Sequence, residues 1–352
     1  LPLLSAPLCV LIDRPLPGWL VALLASWLSF GAAIMLLIQI SAGGTISYQL
    51  GGWPPPWGIE YRIDLLGAYV LLIVTGIAAL VMIFARHSVA KEIPTQRIAR
   101  FYAALMLVFA GLAGITVTGD AFNVFVFLEI SSLASYAVIS MGHDRRALNA
   151  AFQYLVMGTI GATFIIIGVG LMYMMTGTLN MYDLSERLPE VQNSRTILSA
   201  FGFFIVGVCL KLALFPLHLW LPNAYAYAPS IATAFLAATS TKVAVYLLIR
   251  CFFSIFGIDF VTTVLPIHEI FMVLGLAGIF AASISAIYQL NIKRLFAYSS
   301  VAQIGYMILG LAIGTRLGLT ATLLHMFNHA LMKGALFLAI GAVVYRIHSS
   351  EL

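Results

Sequence analysis

Six ionisable side chains lie inside otherwise apolar stretches of this chain: Glu129, Lys211, Lys242, His325, His329 and Lys333. A charge at the centre of a membrane helix costs about 2.5 to 3.5 kcal/mol on insertion scales, so the set costs on the order of 10 kcal/mol unless paired or hydrated. A single buried lysine is readily explained as a snorkelling side chain or half of a structural ion pair. Six together point to a path for charge. Glu129, Ser132, Tyr136 and Ser140 recur at i, i+3, i+7 and i+11, on one stripe of a helix. Ser299, Gln303 and Tyr306 make a second stripe, and His325, Asn328, His329, Met332 and Lys333 a third. All three stripes are expected to face the bundle interior and to hold a chain of water. Histidine titrates near neutral pH and carries a proton on either ring nitrogen, so His325 and His329, four positions apart, suit proton relay. A metal or haem pair is the sharper alternative, but no cysteine or carboxylate of that span completes a ligand set, so neither metal nor cofactor is expected.

Pro216 follows Lys211 by five positions and has no N–H, which is expected to break the helix and leave the carbonyl of Leu212 without its usual donor. Interrupted membrane helices mark ion sites, so Lys211 and His218 are expected to line one hydrated cavity. The run Thr239, Ser240, Thr241, Lys242 suggests a similar lining one helix later. The plainer alternative is a packing kink, with the hydroxyls bonding back to carbonyls.

The elements that must position these groups follow from composition. Apolar residues make up 62% of the chain and charged residues 9%, with mean hydropathy +1.03. Such a chain is an all-α, polytopic membrane bundle of one domain. About eleven apolar spans fall near 2–12, 19–41, 64–84, 101–118, 121–141, 149–175, 196–216, 230–255, 266–289, 294–314 and 318–345. Between the second and third, residues 46 to 64 carry Gly51, Gly52 and Pro54 to Pro56 amid polar and β-branched residues, which predicts a hairpin outside the membrane. Asp120 reads as a helix cap rather than an ion ligand. Residues 183 to 195 read as an interfacial connector. Cys9, Cys209 and Cys251 are too scattered for a zinc site or a disulfide framework.

The formal charge of +5 reflects membrane orientation and implies no nucleic-acid surface. Arg14, Arg86, Lys91, Arg97, Arg100, Arg145, Arg146, Lys293, Arg294 and Arg346 fall on one side, and Arg62, Arg187, Arg195, Arg250 and Arg316 on the other. The more basic side is expected to be cytoplasmic in a multi-pass protein of the cell membrane, with the N-terminus outside. No signal peptide is recognisable at the start of the chain.

Several stretches resemble one family. The run Thr118 to Glu129, TGDAFNVFVFLE, is similar to the fifth-helix motif of Mrp-type Na+/H+ antiporter subunits. Lys211 to Ala224 (KLALFPLHLWLPNA), Ala228-Pro229, Thr241-Lys242-Val243, Ile292 to Ser300 (IKRLFAYSS) and Asn328 to Lys333 (NHALMK) follow in the family's order. The wider family includes antiporter-like subunits of respiratory complex I and of membrane-bound hydrogenases. Gly51 to Pro56 and Thr118 to Asp120 resemble the Mrp D-type and hydrogenase-type members most.

The resemblance implies about fourteen helices with two inverted five-helix repeats and a broken seventh helix. Residues 1–100 would be N-terminal helices and hairpin, 101–255 the first repeat, and 266–352 an incomplete second repeat within the single domain 1–352. It also implies that Glu129 pairs with Lys211 and controls its proton affinity, and that Lys242 with His325 or His329 relays protons centrally. His218 and Lys333 complete the expected route. In relatives a later helix carries a further lysine or glutamate on the exit path, and no residue of this chain fills that role. The implied partners are other membrane subunits of a hetero-oligomeric antiporter or redox complex, the bilayer, protons and, as an open alternative, Na+.

A proton-pumping arm of a complex I-like or hydrogenase-like redox complex is the rival reading. A scaffold that has lost transport should also have lost its buried charges. No catalytic site is legible: there is no P-loop and no GxSxG, and His268-Glu269 lacks the second histidine of HExxH. Whether the chain belongs to an enzyme is left open.

Overall fold

The computed structural model describes residues 1–264 and 266–347; the last five residues of the expected second repeat lie outside them. Among the described residues ten helices are long and apolar enough to cross a membrane, and a shorter apolar helix precedes them, matching the eleven expected spans. The N-terminal group is α1 (Pro2–Ile12), α2 (Pro15–Gly43) and α3 (Leu65–Glu92). Next come α4 (Ile98–Val117), α5 (Ala121–Ser140) and α6 (Arg146–Thr176). The short helix α7 (Met181–Val191) lies across the connection to α8 (Arg195–Leu212), whose membrane crossing continues after a break as α9 (Trp220–Tyr227). Then follow α10 (Ser230–Ile249), extended by a π-helical turn over Arg250–Ile255, and α11 (Ile258–Val264). The last three are α12 (Ile267–Ile287), α13 (Ile292–Ala312) and α14 (Arg316–Ile347).

The predicted hairpin is present: β1 (Ile46–Gln49) pairs antiparallel with β2 (Glu60–Ile63), Ile46 opposite Ile63. Glu60 ties it to the bundle. Its buried carboxylate accepts from Ser47 Oγ (2.6 Å) and Asn180 Nδ2 (2.8 Å), while its carbonyl accepts from Gly119 N–H (2.9 Å). Asp120 caps α5 as expected, accepting from the Asn123 N–H at 2.7 Å.

Helix α10 is the centre of the bundle, touching α3, α4, α8, α9, α13 and α14. Of Ser230 to Ile249 only Ser240 is more than slightly accessible. An apolar surface all round suits such a helix, and Ala232, Ala234, Ala237, Ala238 and Ala244 let neighbours come close. Helix α3 holds it at both ends. At one end Asp64, the N-cap of α3, forms a bidentate pair with Arg250, whose Nη1 donates to Oδ2 at 2.7 Å. At the other end Glu92, the last residue of α3, accepts the Ser230 N–H at 2.8 Å, placing a carboxylate on the positive terminus of α10.

Elsewhere glycines set the spacing. At Gly207 of α8 a methyl group would sit 2.6 Å from the Gly161 carbonyl oxygen of α6, and the Gly275–Gly305 contact joins α12 to α13 in the same way. The break after α8 begins at Ala213 (φ 60°, ψ 40°), not at the proline. Ala213 N–H donates to Leu210 O (3.2 Å) and Leu214 N–H to Cys209 O (3.1 Å), a Schellman arrangement that satisfies these two carbonyls of the last turn. Trp220 Nε1 also donates to Leu210 O, at 3.1 Å.

Gly207→Ala must push α6 from α8 against backbone atoms and should cost about 1 to 3 kcal/mol, read as a lower thermal unfolding midpoint in detergent; an unchanged midpoint would show that the helices separate freely. Burial disfavours the Asp64 carboxylate, but the hydrogen bonds and charge of Arg250, with the Gly67 N–H, outweigh it and hold the group below its usual range. A lowered folded-state value means that the pair's stabilisation is fully present above about pH 4 and is lost as pH falls through that value. The midpoint of Asp64→Asn should therefore vary less with pH below 4 than that of the parent, and parallel curves would contradict this.

Candidate functional site

The cap at Asp120 and the glycine contact between α6 and α8 bring one face of α5 against Lys211. Lys211 Nζ donates to Ser132 Oγ at 2.8 Å and lies 3.5 Å from Glu129 Oε1. The expected pair is present in geometry, with the tighter bond to the neutral hydroxyl. The lysine is buried, whereas the carboxylate keeps 22% of its side-chain surface, so one edge of the site is open and the other closed. On the closed edge lies a cavity of about 30 Å³, lined by Lys211, Ser131, Ser132, Tyr154 and Ser240 among apolar neighbours. That volume and its polar lining suit one or two water molecules. Tyr154 stacks on Trp220 (centroids 3.9 Å apart, 5°) and meets Tyr136 edge-on at 4.7 Å, so three rings wall the site beside the helix break. Gly158 makes room for Tyr136, whose hydroxyl would be 1.9 Å from any methyl there.

Lys242 of α10 lies off the face that lines this cavity; it is wholly buried and donates to Ala237 O (2.5 Å) and Thr241 Oγ1 (3.4 Å) of its own helix. Facing it from α14, Lys333 Nζ donates to Phe296 O of α13 at 2.8 Å and lies 5.3 Å from the centre of that ring. The rings of His325 and His329 stack nearly parallel at 6.0 Å. Lys242 and Lys333 both lie within electrostatic reach of His329, and Lys242 of His325 as well, which groups these four ionisable side chains together. His329 is completely buried, and neither ring nitrogen has a hydrogen-bond partner among the described residues. Each such group costs about 1 to 3 kcal/mol.

Some expectations fail. His218 does not line the Lys211 cavity. The left-handed turn at Ala213 redirects the chain, and the imidazole stacks on Phe215 (5.3 Å) and points edge-on to Tyr298 of α13 (6.2 Å). Tyr306 is 48% exposed, because α13 buries the side carrying Ala297, Ser300, Ile304 and Ile308. Asn328 and Met332 likewise face outward, while His329 and Lys333 face α10.

Sequence reading also missed partners. Tyr154 belongs to the Lys211 site, although nothing in its local pattern distinguishes it from a packing aromatic. Lys293, assigned to a basic loop, is 5% exposed and donates to Ala228 O at 3.2 Å. The Asp64–Arg250 pair joins residues 186 positions apart. Among the described residues no three His, Cys, Asp or Glu side chains converge as a metal would require.

Residues 118–352 match the transmembrane family described as NADH:quinone oxidoreductase/Mrp antiporter. A relative from Desulforudis audaxviator, the N-type subunit of an NADH-quinone oxidoreductase, is 44% identical over 97% of this chain and 67% of its own length. The D-type subunit of an Na(+)/H(+) antiporter from Alkalihalophilus pseudofirmus is 32% identical over 88% of this chain and 62% of its own. Among solved structures, a chain of the archaeal membrane-bound sulfane sulfur reductase is 31% identical with TM-score 0.89, covering 99% of this chain and 71% of that one. A chain of the Mrp complex from Dietzia sp. is 28% identical with TM-score 0.88, covering 100% and 64%. This chain thus spans roughly two thirds of the relatives it matches.

A buried imidazole without partners contributes little to folding. His329→Leu should keep the thermal midpoint of the parent or raise it, whereas a drop equivalent to more than about 2 kcal/mol would show that the ring is a structural hydrogen-bonding group.

Proposed function

We propose, from the premise that this chain belongs to the NADH:quinone oxidoreductase/Mrp antiporter membrane family, that it is an antiporter-like subunit that moves protons through the bilayer. The observation that carries this reading is the Lys211 ammonium, held between the Glu129 carboxylate and the Ser132 hydroxyl with a water-sized cavity on its far side. A carboxylate favours the charged form of a neighbouring amine, and an apolar surrounding favours the neutral form. A small rotation of Lys211 from Glu129 toward the cavity exchanges one environment for the other and releases a proton toward Ser240 and Tyr154. Lys242 takes it next, and His329, His325 and Lys333 extend the relay across the α10–α14 boundary. Moving one charge against 100 mV requires about 2.3 kcal/mol, within reach of a change of one to two pKa units.

His218, beside Tyr298, is assigned a secondary branch near α13 rather than a place beside Lys211. Residues 101–255 and 266–352 act as the two halves of the relay after the N-terminal 1–100. The chain works in the cell membrane within a hetero-oligomer, its basic loops cytoplasmic and its N-terminus outside. Two drivers are compatible with this relay. A cation gradient, as in the named antiporter relatives, is the first reading. A redox reaction in neighbouring subunits is the second, favoured by the 44% identical oxidoreductase relative.

Proton flux in vesicles holding the whole complex tests the reading, driven in turn by a sodium gradient and by a redox substrate. Glu129→Ala and Lys211→Ala are each expected to cut flux at least tenfold with assembly intact, and the effective driver separates the two readings. Undiminished flux in both variants would make the chain a scaffold.

A further inference from the structure

On the side that carries the basic loops, a basin of about 390 Å³ opens at the meeting of α3, the α5–α6 loop, the α9–α10 junction, the start of α13 and the end of α14. Three rim charges are engaged, Arg146 with Asp144 (2.5 Å) and Lys91 with Tyr345 O (2.6 Å), and the imidazole of His143 lines the same rim beside Asp144. Two lining groups are different. Lys293 is a buried ammonium whose one hydrogen bond to a described residue runs to Ala228 O, at 3.2 Å. Glu92, half-buried on the opposite wall, accepts from Ser88 Oγ (2.7 Å) and Ser230 N–H (2.8 Å), and its charge acts on Lys293.

The basin ends close to the relay. Phe296, one turn along α13 from Lys293, offers its carbonyl to Lys333 Nζ at 2.8 Å and to Ser300 Oγ at 3.1 Å. Helix α14 meets the start of α10 where a methyl on Gly341 would touch Ser230 Cβ at 3.1 Å, and the Ser230 hydroxyl, buried there, has no partner among the described residues. A carboxylate and a buried lysine lining one polar basin, one helical turn from the carbonyl that holds Lys333, have the composition of a proton entrance.

We propose that Glu92 and Lys293 form the entrance by which protons from the basic-loop side reach Lys333 and then Lys242. The inference rests on the transport reading above and adds where that route begins. Glu92 exchanges protons with basin water, and Lys293 passes them along α13. The competing role for Glu92 is purely structural, as the cap of α10, and one substitution separates the two: Gln keeps an oxygen for the Ser230 N–H but cannot carry the proton.

The test is proton flux in vesicles holding the whole complex, for the parent, Glu92→Gln, Glu92→Asp, Lys293→Met and Lys211→Ala, across a series of pH values on the basic-loop side. Glu92→Gln and Lys293→Met are expected to lower flux about tenfold at neutral pH with assembly unchanged. The Glu92→Gln loss should shrink as protons become more concentrated on that side, and Glu92→Asp should recover at least half of parental flux. Parental flux and pH profile in Glu92→Gln, with Lys211→Ala inactive, overturns the entrance and leaves the transport reading standing. Parental flux in Lys211→Ala overturns the transport reading itself.

Discussion

An ammonium group taken out of water must meet oxygen atoms or give up its proton, and the architecture of this protein is organised around that requirement. Lys211 meets it with a carboxylate and a hydroxyl from α5, Lys242 with a carbonyl of its own helix, and Lys333 with a carbonyl of α13. None of the three is satisfied by a full, short-range ion pair.

Holding Lys242 requires that the helix carrying it touch no lipid. The alanines of α10 allow close neighbours, and the glycine contacts between α6 and α8 and between α12 and α13 make the surrounding helices narrow enough to enclose it. The hairpin does related work at the membrane surface. Buried Glu60 bonds to Asn180, and the backbone of residues 119–121 is pinned between the hairpin and the start of α7, so the first turn of α5, and with it the height of Glu129, is fixed from outside the bilayer.

Much of this was legible because it is local or periodic. The Glu129–Ser132 stripe, the Asp120 cap, the hairpin and the apolar spans are written in spacings of a few residues. Partner choice across the bundle was not. Pro216 signalled the broken helix but misplaced the break, because the chain turns where carbonyls can be capped, at Ala213. That shift took His218 away from Lys211. Tyr306 misled for a related reason: periodicity shows that a stripe exists, while packing against α10 and α12 decides which stripe is buried. Lys293 resembled any loop lysine until the carbonyl of Ala228 appeared beside it.

Helix α3 grips α10 at both termini, through Asp64 on Arg250 and Glu92 on Ser230. A helix clamped at both ends and enclosed by six others cannot slide or tilt without breaking the ion pair at one end or the carboxylate–amide hydrogen bond at the other. The proposed relay then needs no large mechanical stroke. Its steps would be side-chain rotations and proton hops inside a fixed frame, unlike the domain rearrangements of transporters that rock.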